Sequence, residues 1–203
     1  MEAIYGQIKA YAEKRLKIQL SDELLNKISA ICKVKKYKKG DLIITAGEAV
    51  SVSHFIVSGL VRTFYIDING NEVTNYFVFE NRFFGGGYIT TNKPIRYNFE
   101  ALEDCVTLEF DRTHIAEIIK AEQAFLFIYI SILEDFLLEK SEREANLLTK
   151  SATERYLDLK HRFPNIENRV SQSHIASYLG ITPVSLSRIR RVLRDDFLTD
   201  EEI

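Results

Sequence analysis

Cysteine is scarce in this 203-residue chain, with Cys32 and Cys105 the only two. Two thiols cannot build a disulfide framework, a four-thiolate metal site or an iron–sulfur centre needing about four cysteines. Histidine is nearly as sparse: His54, His114, His161 and His174 lie in separate stretches, without the clustering a metal enzyme needs. There is no Ser/His/Asp or Cys/His arrangement and no GxxxxGK phosphate loop. The expectation is therefore a non-enzyme without a cofactor. No apolar run approaches the roughly 18 residues of a membrane span. The opening Met1-Glu2-Ala3-Ile4-Tyr5 lacks the basic-then-apolar pattern of a secretory leader. A cytoplasmic protein with no membrane partner is expected.

Net charge is also nearly absent. With 27 Lys+Arg against 29 Asp+Glu, the formal value is −2, which argues at first against a polyanionic partner. Its distribution reverses that impression. Between 151 and 194, Arg155, Lys160, Arg162, Arg169, Arg188, Arg190, Arg191 and Arg194 face only Glu154, Asp158 and Glu167. Asp195, Asp196, Asp200, Glu201 and Glu202 then cancel the excess. The expectation is a basic segment that could face a polyanion, followed by an acidic tail that folds over or flanks it and weakens non-specific binding.

The residues that are present divide the chain into three patterns. Seven of the nine glycines fall between 40 and 87, separating short runs rich in β-branched and aromatic residues at 42–45, 53–57, 60–66, 72–79 and 99–110. Such spacing predicts an antiparallel barrel or sandwich, with Asp67-Ile68-Asn69-Gly70-Asn71 as its clearest hairpin turn. Before it, residues 2–18 and 22–32 carry apolar side chains at helical spacing, and Ser21 can cap the second of these helices. After it, 121–150 contains neither Gly nor Pro. One apolar face runs through Phe125, Tyr129, Ile132 and Phe136, and another through Leu126, Ile130, Leu133 and Leu137. A helix apolar on two faces buries one against its own domain and one elsewhere. It is either a central core helix or a dimer helix, with Phe125, Tyr129, Ile132 and Phe136 as the expected dimer residues.

The segment 171–193, SQSHIASYLGITPVSLSRIRRVL, reads as two helices around a tight turn. Ser171 caps the first, Gly180 ends it, Thr182 caps the second and Pro183 opens it. Ala176 must be small where the helices cross. Buried aliphatics in this frame are the signature of a DNA-binding helix-turn-helix. Subtracting them leaves Pro183, Val184, Ser185, Ser187, Arg188, Arg190, Arg191 and Arg194 on the exposed face. Arg188 is the candidate for guanine O6 and N7, and Val184 for a thymine methyl. Ser173, Ser185 and the backbone N–H groups of Ser171, Gln172 and Ser173 are candidates for phosphate. With Thr182, Pro183, Ser187 and Arg191 these form the expected interface with double-stranded DNA.

Taken in order, these elements resemble the cyclic AMP receptor protein / FNR (Crp–Fnr) superfamily of transcription regulators. The resemblance is carried by Tyr37-Lys38-Lys39-Gly40-Asp41-Leu42-Ile43-Ile44 with Ala46-Gly47-Glu48, by 54–61, by Glu100-Ala101-Leu102-Glu103-Asp104 and by the helix-turn-helix. It covers about 20–194. It implies an α+β chain: N-terminal helices and a cyclic-nucleotide-binding-like antiparallel β-roll over 1–112, a long dimerisation helix over 113–150, and a helix-turn-helix domain with a short or absent wing over 151–203. It further implies a homodimer responding to a small-molecule effector, with RNA polymerase a further candidate partner. The implied effector pocket includes Phe84, Gly85, Gly86, Gly87, Tyr88, Ile95, Arg96 and Tyr97. Gly86 stands where cyclic-nucleotide members have a ribose-binding Glu. Ile95 stands where they have a phosphate-binding Arg, with Arg96 one place away on the opposite strand face. Cyclic AMP and cyclic GMP are therefore not expected as effectors, because a buried phosphate without a cation is costly. The rival reading is a ligand-sensing or interaction module that binds no DNA.

Overall fold

The computed structural model describes residues 2–85 and 93–200, with side chains except at 2–5, 124 and 196–200. Helices α1 (Glu2–Lys14) and α2 (Asp22–Ile31) precede strands β1 (Cys32–Tyr37), β2 (Leu42–Ile44), β3 (Val52–Ser58), β4 (Val61–Ile66), β5 (Glu72–Val78), β6 (Phe83–Gly85), β7 (Asn98–Ala101) and β8 (Cys105–Asp111). Helices α3 (Arg112–Ala121), α4 (Gln123–Thr149), α5 (Ala152–Arg162), α6 (Ile166–Arg169), α7 (Gln172–Leu179) and α8 (Pro183–Asp200) follow. The strands form two four-stranded antiparallel sheets, ordered β1-β8-β3-β6 and β2-β7-β4-β5. Among the described residues no helix is long and apolar enough to cross a membrane.

Several elements depart from the sequence expectations for identifiable reasons. Strand β1 lies at a sheet edge and exposes Lys33, Lys35 and Lys36. Its charge hides it from a hydrophobic-pattern reading while blunting an open edge against wrong pairing. The run 99–110 is two strands in different sheets, with Leu102 to Asp104 crossing between them. There the Leu102 N–H donates to the Leu60 carbonyl at 2.8 Å, and Asp104 accepts from Lys38 Nζ at 2.6 Å. The expected 113–150 helix is also two elements, because Glu122 takes extended backbone angles (φ −130°, ψ 103°) between α3 and α4. The hairpin at Asp67 forms as read: its carboxylate accepts the N–H groups of Asn69 and Asn71 at 2.8 and 2.9 Å.

Three apolar clusters hold the chain. One lies between the sheets, around Ile44, Ile56, Phe84, Ile95 and Phe99. A second joins α1, α2 and the start of α4 to Phe55, Leu108 and Phe110. The third joins Leu60, Phe77 and Leu102 of the roll to Tyr156, Ile166, Ile175, Leu179 and Leu186 of the C-terminal helices. That last cluster depends on a β-bulge. Thr63 pairs with Tyr76 and Phe64 with Thr74, so Asn75 has no partner residue. The extra residue resets the alternation of β5. Thr74 and Phe77 thereby both meet the C-terminal helices, Thr74 through Ser177 Oγ and Phe77 through the Tyr178 ring.

Candidate nucleic-acid interface and effector cavity

The helix-turn-helix frame is built by its caps. Ser171 Oγ accepts the His174 N–H at 3.2 Å, starting α7. Gly180 ends that helix in the left-handed region (φ 70°, ψ 33°), where a side-chain-bearing residue would be strained. Thr182 Oγ1 accepts the Ser185 N–H at 3.1 Å, and Pro183 opens α8. Ala176 is fully buried beside Leu186, so its methyl sets how closely the two helices approach.

Of the ten expected DNA-facing residues, Ser171, Gln172, Ser173, Thr182, Pro183, Val184, Ser187, Arg188 and Arg191 are exposed together on this frame. Ser185 is half-buried, its hydroxyl 3.0 Å from Thr182 Oγ1. Arg188 and Arg191 have no carboxylate partner among the described residues. The other basic residues of the segment behave differently. Arg190 is half-buried and bonds Glu167 at 2.9 Å, which removes it from the exposed face read from the sequence. Arg155 donates to the Leu179 carbonyl at 3.0 and 3.2 Å, Lys160 pairs with Glu167 at 3.5 Å, and Arg162 pairs with Glu139. Arg169 bridges Glu103 and Glu80 of the roll at 2.7 and 2.6 Å, and those two carboxylates hold its pKa above the usual arginine value. Much of the basic excess thus holds helices in place. Helix α8 continues unbroken to Asp200, so residues 195–200 follow the basic residues along the same helix, the flanking arrangement of the two expected, and do not fold back over it. Residues 201–203 lie outside the described residues.

The roll contains one feature that sequence reading missed and one that it located in part. Arg62 is 1% exposed. Its Nε lies 2.9 Å from Glu100, its Nη2 lies 2.5 Å from Glu72, and its guanidinium stacks 4.3 Å from the Phe64 centroid. His174 of α7 lies over this group. Its pKa is lowered by burial first and by the Arg62 charge second. A strand with Arg between Val61 and Thr63 gives no sequence signal that the Arg is covered, since the covering helix lies more than 100 residues away.

The second feature is a cavity of about 280 Å³ on the opposite face of the same strands, closed by α1 and α4. Its wall includes Phe84, Gly85 and Tyr97 from the expected effector set. Gly85 has φ 108°, and a Cβ there would meet the Val52 carbonyl at 2.9 Å. Ile95 is 4% exposed in the inter-sheet core and Arg96 is exposed, so neither lines the cavity. Gly86, Gly87 and Tyr88 lie outside the described residues. On α4, Phe125 is buried and Ile132 packs against the same cluster, while Tyr129 is half-buried in the cavity wall. These three expected dimer residues therefore face inward, and Phe136, though exposed, also borders the cavity. The face open to solvent carries Leu126, Ile130, Leu133 and Leu137, the last 64% exposed, with Phe127 and Leu138 beside them.

Residues 34–122 match the family model described as cyclic nucleotide-binding domain. No curated protein matches the sequence. Among solved structures, FixK2 from Bradyrhizobium japonicum superposes with a TM-score of 0.70 at 20% identity, covering 82% of this chain and 86% of that one. The c-di-GMP responsive global regulator CLP of Xanthomonas campestris gives 0.70 at 16% identity, covering 88% and 94%. A CooA mutant from Carboxydothermus hydrogenoformans gives 0.65 at 18%, covering 89% and 82%.

Proposed function

We propose that this chain, which has the fold of the Crp/Fnr transcription regulators, is an effector-responsive, DNA-binding regulator acting in the cytoplasm as a homodimer. The observation that carries the reading is the capped α7–α8 frame with Val184, Arg188 and Arg191 exposed on it. Arginines without acidic partners are available to a guanine edge or a phosphate, whereas the paired arginines around them are not. The apolar outer stripe of α4, Leu126, Ile130, Leu133 and Leu137, is the face for a second copy. Two copies on one α4 pair would set two recognition helices on successive major grooves.

The coupling follows from what α4 and β5 touch. Helix α4 closes the cavity, and strand β5 contributes to the cavity wall on one side while meeting α7 on the other. An effector that prefers one position of α4 then biases the orientation of α7 and α8 by its differential affinity for the two states. Ordinary cyclic nucleotides are not the expected effector, because Ile95, which stands where the resemblance implies a phosphate-binding cation, is buried in the inter-sheet core.

Selection of bound genomic fragments by the purified protein, followed by salt-dependent mobility shift on the enriched site, tests the reading. Arg188→Ala is expected to weaken the specific site by about 1–3 kcal/mol while leaving sedimentation as a dimer unchanged. Absence of any shift favours the non-DNA-binding sensor; normal binding by the variant removes Arg188 from the recognition role.

A further inference from the structure

The cavity is mostly apolar, with the rings of Phe84, Tyr97, Phe99, Phe125, Tyr129 and Phe136 in its wall, yet three polar features interrupt it. Thr63 is 4% exposed and its hydroxyl has no hydrogen-bond partner. A buried, unsatisfied hydroxyl costs stability unless something fills the space beside it. Asn75 lines the cavity at the β5 bulge, a device often found where a strand re-aims side chains at a site. The third feature is charge. Two carboxylates reach the cavity from α4, and both are already neutralised. Asp135 takes Arg15 at 2.6 Å and Arg82 at 3.0 Å, and Glu139 takes Arg15 at 2.6 Å, Arg82 at 2.9 Å and Arg162. Lys140, one residue further on, is half-buried in the wall. Its ammonium lies 5.4 Å from the Phe136 centroid and 6.0 Å from that of Tyr97, and among the described residues no carboxylate pairs with it. Arg162 also pairs with Glu142 at 3.8 Å, so these three arginines and three carboxylates balance, and Lys140 is the cation of this group left without a carboxylate partner among the described residues.

We propose that the cavity binds a small carboxylic acid with an apolar body, its carboxylate on Lys140 Nζ and its body among the aromatic rings. Size agrees with this. A cavity near 150 Å³ accommodates benzene, so 280 Å³ admits roughly ten to twelve non-hydrogen atoms, about half of a cyclic nucleotide. A single ammonium is a point charge suited to a monoanion, whereas a buried phosphate calls for several donors. The aromatic faces that already attract Lys140 keep its ammonium at the cavity wall, where a carboxylate can complete the pair.

The proposal rests on reading this cavity as the effector site, and its test uses no DNA. Calorimetry on the full chain compares 3-phenylpropionate, its uncharged analogue 3-phenylpropan-1-ol, and cyclic AMP. The acid is expected to bind at least about tenfold more tightly than the alcohol, as a charge-assisted contact implies. Lys140→Met is expected to abolish that preference, and Lys140→Arg to keep it. Equal affinity for acid and alcohol, a preference surviving Lys140→Met, tighter binding of cyclic AMP, or no binding of either phenyl compound overturns it. A failed titration leaves the DNA-binding reading standing, and a failed mobility shift leaves this one standing.

Discussion

Arginine serves opposite ends in the two halves of the molecule. In the roll, Arg62 sits beneath α7 with both charge and plane satisfied, by Glu72, Glu100 and the Phe64 ring. On α8, Arg188 and Arg191 are exposed, with no carboxylate partner among the described residues. The first kind of arginine cannot be given up without losing hydrogen bonds and packing inside the fold; the second contributes little to the fold and is free for another molecule. Histidine in the roll is committed to the fold in the same way. His54 is 1% exposed, stacks on Phe84 at 4.9 Å between centroids and hydrogen-bonds Thr107 at 3.2 Å. The lesson is that net charge per segment says little until each charge is matched to its partner.

Among substitutions, the largest effect that would test this contrast is Arg62→Ala. The substitution removes a buried guanidinium with its hydrogen bonds to Glu100, Glu72 and Thr74 and leaves the space it filled empty, a loss of roughly 2–3 kcal/mol. Urea denaturation should show that loss, and a loss below about 1 kcal/mol would put Arg62 in the same class as Arg188. Acid pH comes next. Burial first, and the Lys35 charge second, hold the His54 pKa down at about 4 against an ordinary 6.5. Above pH 6.5 both folded and unfolded chains keep this imidazole neutral, so it contributes no pH dependence. Below 6.5 the unfolded chain takes up a proton that the fold refuses, and stability falls by roughly 3 kcal/mol as pH approaches 4. The urea midpoint should therefore decline across that window, and a flat profile down to pH 4.5 would contradict a dry His54. The smallest effect is expected at Arg191→Ala. Stability should change by no more than about 0.5 kcal/mol, while DNA affinity falls at all sequences and its salt slope flattens by about one. A destabilisation matching that of Arg62→Ala would erase the distinction between the two regions.

Legibility from sequence followed the range of the interactions. The hairpin at Asp67, the caps at Ser21 and Ser171, the left-handed Gly180 and the turn into Pro183 are all closed within a few residues. Each could be read from local chemistry alone. What required non-local information was which side of a periodic element is covered. Phe125 and Leu126 are equally apolar, yet the packing of α1 and α2 makes Phe125 the buried one and leaves the Leu126 stripe open. Arg190 and Arg191 are adjacent and identical in type, and only the position of Glu167 ties one down and leaves the other free.

By itself, then, the sequence determined the order of β-roll, long helix and helix-turn-helix, because glycine spacing, apolar periodicity and capping residues act over short stretches of chain. The tertiary structure alone decided which arginines are committed, where α3 parts from α4, and that a bulge at Asn75 aligns Thr74 and Phe77 with α7. It alone brought Lys140 of α4 into one cavity with Thr63 of β4. The physical reason is common to all of these: burial and charge pairing depend on which distant surfaces meet, and no local pattern carries that information.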